Sequence, residues 1–195
     1  MLKVEHQKVT IIGGGKVAYR KAKQLIQESC QIQVIAPLFI EAFQTMEHCV
    51  QMIQRPYKEG DCAGSLLVFA ATNDTNVNRE VAYYCKKQGI LCNVVDNPSF
   101  SGFITPAQIT RGDLKITIST EGNSPNLAVK IKREIEQLYD ETYSEYVQLL
   151  GTVRTQLVTV EKDIQKKQQM LHDLTQLSYD ELVHYSQTLM CQDKK

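Results

Sequence analysis

The chain has 195 residues, 43% of them hydrophobic, with 22 Lys and Arg balanced by 22 Asp and Glu. That apolar share excludes a disordered or fibrous chain, and a net charge of zero argues against a nucleic-acid binder with a broad basic field. No apolar run approaches the ~20 residues needed to cross a bilayer, and Met1–His6 opens no signal-peptide core, so neither membrane insertion nor secretion is expected.

The first ~95 residues alternate between two patterns. Lys8–Ile12 is a short β-branched run and reads as a buried strand ending at Gly13-Gly14-Gly15. Val17, Ala18, Lys21, Ala22, Leu25 and Ile26 then recur at helical spacing, predicting a helix over Lys16–Glu28. A second strand covers Gln31–Ala36 and is closed by Pro37, and a shorter helix follows over Leu38–Glu47. A weaker third strand covers Val50–Gln54, and Ser65–Ala71 is the most apolar of all. Asn73-Asp74 offers an N-cap for a helix whose inner face is Val77, Val81, Ala82 and Cys85. Ile90–Val95 is the fifth strand. Strands separated by helices imply a Rossmann-like α/β fold with a parallel sheet and right-handed crossovers.

The alternation then stops. Residues 98–106 read as a loop, and Leu114–Ser119 alternates like a half-exposed strand. Ser124-Pro125 is a helix start, with Ser at N-cap and Pro at N1, followed by Leu127, Ile131, Ile135 and Leu138 on one face. Tyr146 to Ile164 carries one long apolar stripe, read as a core or dimer face, and a second short helix is expected over Tyr179–Met190 behind Ser178. The division expected is 1–110 as a dinucleotide-binding domain, 111–142 as a small connecting region and 143–195 as a helical domain. The six cysteines show no CxxC pair and the four histidines no HxxxH spacing, so no metal site is expected. Scattered thiols suit a reducing cytoplasm, where they act as small buried hydrophobes.

Gly13-Gly14-Gly15-Lys16-Val17-Ala18 fits GxGxxG/A. Gly13 allows the tight turn, Gly15 lets the backbone approach a pyrophosphate, and Ala18 lets helix and strand pack closely. The pyrophosphate would sit on the helix N-terminus, among unpaired N–H groups. The motif follows a strand and opens a helix, the context that gives it meaning; the competing reading is a glycine-rich turn with no ligand. The fingerprint's ribose-holding carboxylate, about 20 residues on, is missing, since Ala36-Pro37-Leu38 stands there. Backbone around Pro37 and Leu38 would then hold the ribose. No Arg stands there for a 2′-phosphate, which favours NAD over NADP. Thr72 and Asn73 follow the fourth strand, close to where the nicotinamide ribose would lie.

Ile11-Ile12-Gly13-Gly14-Gly15-Lys16-Val17-Ala18-Tyr19-Arg20-Lys21 resembles the opening of the precorrin-2 dehydrogenases, the first part of siroheme synthases. Further blocks match in order: Ala70–Asp74 with Asn78, Cys92–Asp96, Phe103–Ala107 and Ile118–Pro125, together spanning residues 11–125. The resemblance implies NAD-dependent oxidation of precorrin-2 to sirohydrochlorin, with ferrous iron insertion in some members. It also implies a homodimer built from a Rossmann domain over 1–110, a small dimerisation region over 111–142 and a helical tail over 143–195. Longer relatives carry a methyltransferase domain, for which these 195 residues leave no room.

Asp96 matches the carboxylate that the family uses in dehydrogenation and chelation, and it is the candidate general base. The other reading is an Asp that positions the turn at Pro98. The eight carboxylates of the substrate call for fixed positive charge and N–H donors, for which Arg111, Lys115, Lys130, Lys132 and Arg133 and the Ser119–Ser124 loop are candidates. Lys130 equally suits a solvated helix face. Thr120 keeps the hydroxyl that some relatives carry on a Ser, and Ser124 is a cap first and a substrate contact second. No His lies near the matched motifs, so chelation is secondary. The alternative outside catalysis is an NAD-binding regulatory module, against which Asp96 and the Ser119–Pro125 loop argue.

Overall fold

The computed structural model describes residues 2–192, with side chains to Leu189. They fall into two compact units, residues up to 105 and residues from 106 onward.

The first unit contains β1 (Lys8–Ile12), α1 (Lys16–Ile26), β2 (Gln31–Ala36), β3 (Gln51–Gln54), β4 (Leu67–Ala70), α2 (Thr75–Gln88) and β5 (Leu91–Val94). The strands form one parallel sheet in the order β3-β2-β1-β4-β5. Period-two alternation splits the core between the two faces. Val9 and Ile11 of β1 pack with Ala18, Ala22 and Leu25 of α1. Ile12, Ile35, Val68 and Ala70 pack with Val81, Ala82 and Cys85 of α2 on the other side. Burial on both faces explains why these strands read as continuous apolar runs. The chain reverses direction across the sheet between β1 and β4, so the switch point lies at the carboxyl ends of those two strands.

Leu38–Glu47 is a 3-10 helix over Glu41–Met46 rather than an α-helix. Its entry is fixed by the Ile40 amide donating to Gly14 O at 3.0 Å, and the buried Phe43 and Met46 anchor it. Strands β4 and β5 are shorter at their ends than Ser65–Ala71 and Ile90–Val95, and α1 ends two residues before Glu28.

The second unit opens with the antiparallel hairpin β6 (Ala107–Arg111) and β7 (Leu114–Ile118), followed by α3 (Pro125–Leu138), α4 (Thr142–Val160), α5 (Ile164–Leu174) and α6 (Tyr179–Gln192). The Tyr146–Ile164 stripe does not run through one helix. Asp163 caps α5 by accepting from the Lys166 amide at 2.9 Å, and Ile164 is 69% exposed. Val153, Leu157, Leu174, Leu182 and Leu189 form the core of the last three helices. Ser178 and Glu181 form a reciprocal cap at the start of α6: the Ser178 amide donates to Glu181 Oε2 at 2.8 Å and the Glu181 amide to Ser178 Oγ at 3.4 Å.

Candidate active site

The glycine turn joins β1 to α1 at the switch point. Gly13 has φ +127°, and a Cβ there would lie 2.3 Å from Ala71 O. Gly14, which the motif leaves unspecified, is equally constrained, because a Cβ would lie 2.1 Å from Leu38 O. Gly15 differs: a Cβ there would meet nothing within 4 Å. Two glycines are therefore needed by the protein's own packing, and the third faces open space. Gly15 is also the N-cap of α1, and no side chain caps the helix. The first amides of α1 are left for an outside acceptor, no acidic residue stands in the first turn, and Lys16 is exposed there. Val17 is half-buried behind Lys16, and Ala18 is fully buried against the sheet. This cradle fits a nucleotide diphosphate.

At the tip of β2, Pro37 and Leu38 are exposed, Leu38 by 77%, and no carboxylate follows the strand directly. The neighbouring β3 ends on Gln54, whose Nε2 donates to Pro37 O at 3.5 Å.

The loop from β4 to α2 is held by Thr72 and the buried Asn78. The Thr72 amide donates to Asn78 Oδ1 at 3.0 Å, and Asn78 Nδ2 donates back to Thr72 O at 3.1 Å. The cap of α2 is Asp74, which accepts from the Asn76 amide at 2.8 Å and the Val77 amide at 3.4 Å. Asn73 is exposed, and none of the hydrogen bonds among the described residues uses its side chain.

Asp96 lies two residues beyond β5, in a turn closed by the Asn97 amide donating to Val94 O at 3.3 Å. The turn is pinned to the sheet by the Val94 amide donating to Ser101 Oγ at 2.9 Å and by Gly102 N donating to Cys92 O at 2.7 Å. Asp96 is exposed, and no hydrogen bond or ion pair among the described residues uses its carboxylate. Because all five strands are parallel, Gly13, Gly15, Thr72, Asn73 and Asp96 share the carboxyl edge of the sheet. A cavity of about 420 Å³ lies at the opposite edge, among Lys8, Gln31 and His48, and contains none of these residues.

Half-buried Lys21 on α1, named in the sequence for its helical spacing and the opening motif, was not a candidate site residue. Its Nζ donates to Thr105 Oγ1 at 2.6 Å and lies 5.4 Å from the Phe69 ring centroid. Burial, with help from Arg20, lowers its pKa to about 8.

The remaining candidates lie in the second unit. Thr120 Oγ1 accepts from the Ser124 amide at 3.1 Å, and Ser124 Oγ accepts from the Leu127 amide at 3.4 Å, capping α3. Glu121 and Gly122 both have positive φ, which folds this loop tightly over the start of α3. Arg111 is engaged within the unit: Nε donates to Tyr139 O at 3.1 Å, and Nη1 donates to Thr110 O at 3.0 Å and pairs with Glu141. Lys130 is exposed and 3.8 Å from Glu134, one turn along α3. Among the described residues no group of three or more His, Cys, Asp or Glu is arranged to hold a metal ion.

A family described as "Putative NAD(P)-binding" matches residues 1–107, and one described as "Sirohaem biosynthesis protein central" matches residues 111–138. A precorrin-2 dehydrogenase of Priestia megaterium is 31% identical over 181 residues, covering 92% of this chain and 89% of that protein. The chain belongs to the precorrin-2 dehydrogenase family. A solved precorrin-2 dehydrogenase, SirC, superposes with a TM-score of 0.82 at 28% identity, over 97% of each chain. A siroheme synthase of Pseudomonas aeruginosa is 33% identical over 172 residues, covering 85% of this chain but 36% of its own length. The chain thus spans about a third of the siroheme synthases it matches. The precorrin-2 dehydrogenase match runs through both units, and the NAD(P)-binding family covers the unit with the glycine cradle. No helix among the described residues is long and apolar enough to cross a membrane.

Proposed function

We propose that the chain is an NAD-dependent precorrin-2 dehydrogenase that forms sirohydrochlorin. NAD, when bound, supplies the hydride acceptor. The chain's own residues do the rest. Gly13, Gly15, Lys16, Val17 and Ala18 form the pyrophosphate cradle, and the α1 amides donate to its oxygens. Pro37 and Leu38 border the adenosine end, while Thr72 and Asn73 border the nicotinamide ribose. Asp96 accepts the proton that leaves the macrocycle with the hydride.

The observation that carries this reading is the unpartnered, exposed Asp96 carboxylate on the sheet edge that also bears the uncapped helix. A carboxylate retained without any structural bond is available as a base. In the second unit, Thr120 and Ser124 serve as substrate contacts beyond their capping bonds, with Lys130 as a charge partner for substrate carboxylates. Arg111 ties the hairpin to the α3–α4 connection through Nε and Nη1, and its Nη2 donors serve a substrate carboxylate.

We also propose a homodimer. Leu127 and Leu138, on one face of α3, are 47% and 71% exposed, an apolar surface that a second copy would cover. The five described cysteines are free thiols, which suits a reducing cytoplasm.

The deciding experiment mixes the protein with anaerobically made precorrin-2 and NAD and follows sirohydrochlorin absorbance. NAD-dependent formation is expected; no spectral change would overturn the dehydrogenase reading in favour of a regulatory NAD-binding module. Adding ferrous ion afterwards tests iron insertion, a second reading favoured by the same free carboxylate, which could take pyrrole N–H protons.

A further inference from the structure

We propose that Gln54 reads the adenosine ribose of the dinucleotide, and that the Arg55–Asp61 pair selects NAD over NADP by withholding Arg55 from a 2′-phosphate. This rests on the dinucleotide-binding reading above. A carboxylate at the end of β2 is the usual partner of the ribose 2′-hydroxyl in this fold, and a nearby Arg is the usual partner of a 2′-phosphate. Here β2 ends on Ala36 and is followed by Pro37 and Leu38, none of which has a polar side chain.

The adjoining strand supplies the missing group. β3 pairs with β2 in parallel, with Gln54 directly opposite Ala36, so the Gln54 side chain stands beside the β2 tip. It is exposed, and its bond to Pro37 O is long at 3.5 Å, weak enough to be exchanged for a ribose hydroxyl. A carboxamide both donates and accepts, so it can serve the two hydroxyls of a ribose diol. Being neutral, it does not repel a 2′-phosphate as a carboxylate would. Discrimination must then come from denying that phosphate a cation.

Arg55, the next residue, is the cation in question. Its Nη1 and Nη2 bind Asp61 Oδ2 and Oδ1 at 2.7 Å each, a bidentate pair, and Nη1 also donates to Pro56 O at 3.0 Å. Asp61 is fixed in turn by the Lys58 amide at 2.7 Å, and only 11% of its side chain is exposed. The hydrogen bond from Arg55 holds the Asp61 carboxyl below the usual carboxylate range, so the pair stays charged and closed at neutral pH.

Calorimetric titration of the full chain with NAD and with NADP, without macrocycle, tests this. Wild-type protein should bind NAD more tightly than NADP. Gln54→Ala should weaken NAD about fivefold and NADP less, and Gln54→Glu should keep NAD while weakening NADP about tenfold or more. Asp61→Asn should tighten NADP but not NAD, and adding Arg55→Ala should remove that gain. Thermal melts establish that each variant is folded. NAD-to-NADP ratios unchanged in both Gln54 variants would overturn the proposal while leaving the dinucleotide site intact; wild-type protein binding neither nucleotide would overturn both.

Discussion

Asn97 Oδ1 accepts from the Ser99 amide at 3.0 Å and from the Ser99 hydroxyl at 2.6 Å, so Asn97 caps the turn that follows β5. The turn-positioning role open to Asp96 is therefore filled by its neighbour. The two residues should respond oppositely to substitution. Asp96→Ala is expected to leave the melting temperature and NAD affinity unchanged while lowering turnover at least 100-fold, the usual scale of a lost general base. Asn97→Ala should cost about 1 kcal/mol in urea unfolding, as caps do, with a smaller effect on turnover. Near-wild-type turnover in Asp96→Ala would refute its assignment as the base.

The three glycines separate in the same way. Gly13 needs its positive φ and its approach to Ala71 O, so Gly13→Ala should destabilise the fold by more than about 1 kcal/mol. Gly15 has φ −87° and open space where a Cβ would go, so Gly15→Ala should fold normally. It should nonetheless weaken NAD about tenfold or more, because the added methyl occupies the pyrophosphate's approach. Chemical unfolding and calorimetry on both variants read the two effects apart. Equal loss of stability in both would show that Gly15 is a packing glycine instead.

The strands of the parallel sheet and the cradle were legible because they rest on local signals. Continuous apolar runs mark strands buried on both faces, and a glycine turn between strand and helix marks the phosphate end. What escaped depends on contacts distant in sequence. Strand β6 is the exception: its partner β7 lies across a two-residue turn, but only Ile109 in it is buried, so no apolar run marks it. Gln54 carries no motif; only the register of β3 on β2 sets it beside the carboxyl end of β2. Asn73 and Asp74 were equal candidates for a cap, and the structure assigns the bond to Asp74.

Lys21 gives the stability a specific dependence on pH. Burial lowers its folded pKa to about 8 from an ordinary value of 10.5. Between these values the unfolded chain holds a proton that the folded chain has released, so stability rises with pH across that window. Below about pH 8 both states are protonated and folding bears the full cost of burying the ammonium. Lys21→Met removes the titration. The difference in unfolding free energy between wild type and Lys21→Met should shift toward wild type by about 1–2 kcal/mol from pH 7.5 to 10, discounted for partial exposure. Urea unfolding of both proteins at intervals of half a pH unit measures it, and a flat difference would rule out a titrating, buried Lys21.

The thiols sort by depth. Cys62, Cys85 and Cys92 come together from the loop before β4, from α2 and from β5, and are at most 5% exposed. The neighbouring Cys85 and burial push the Cys62 and Cys92 thiols up, which keeps both protonated and unreactive. Cys30 is half-buried, with Sγ donating to Leu25 O at 3.4 Å and burial pushing its pKa up. Cys49 is exposed, and the Cys191 side chain lies outside the described residues. In a Cys191→Ser background at pH 8, a disulfide reagent should modify Cys49 within the mixing phase and Cys30 more slowly, at a rate that climbs with pH. The buried three should react only as the domain unfolds, at a rate that follows urea concentration. Prompt release of more than two thiols without denaturant would mean that the α2 face of the sheet opens in the native state.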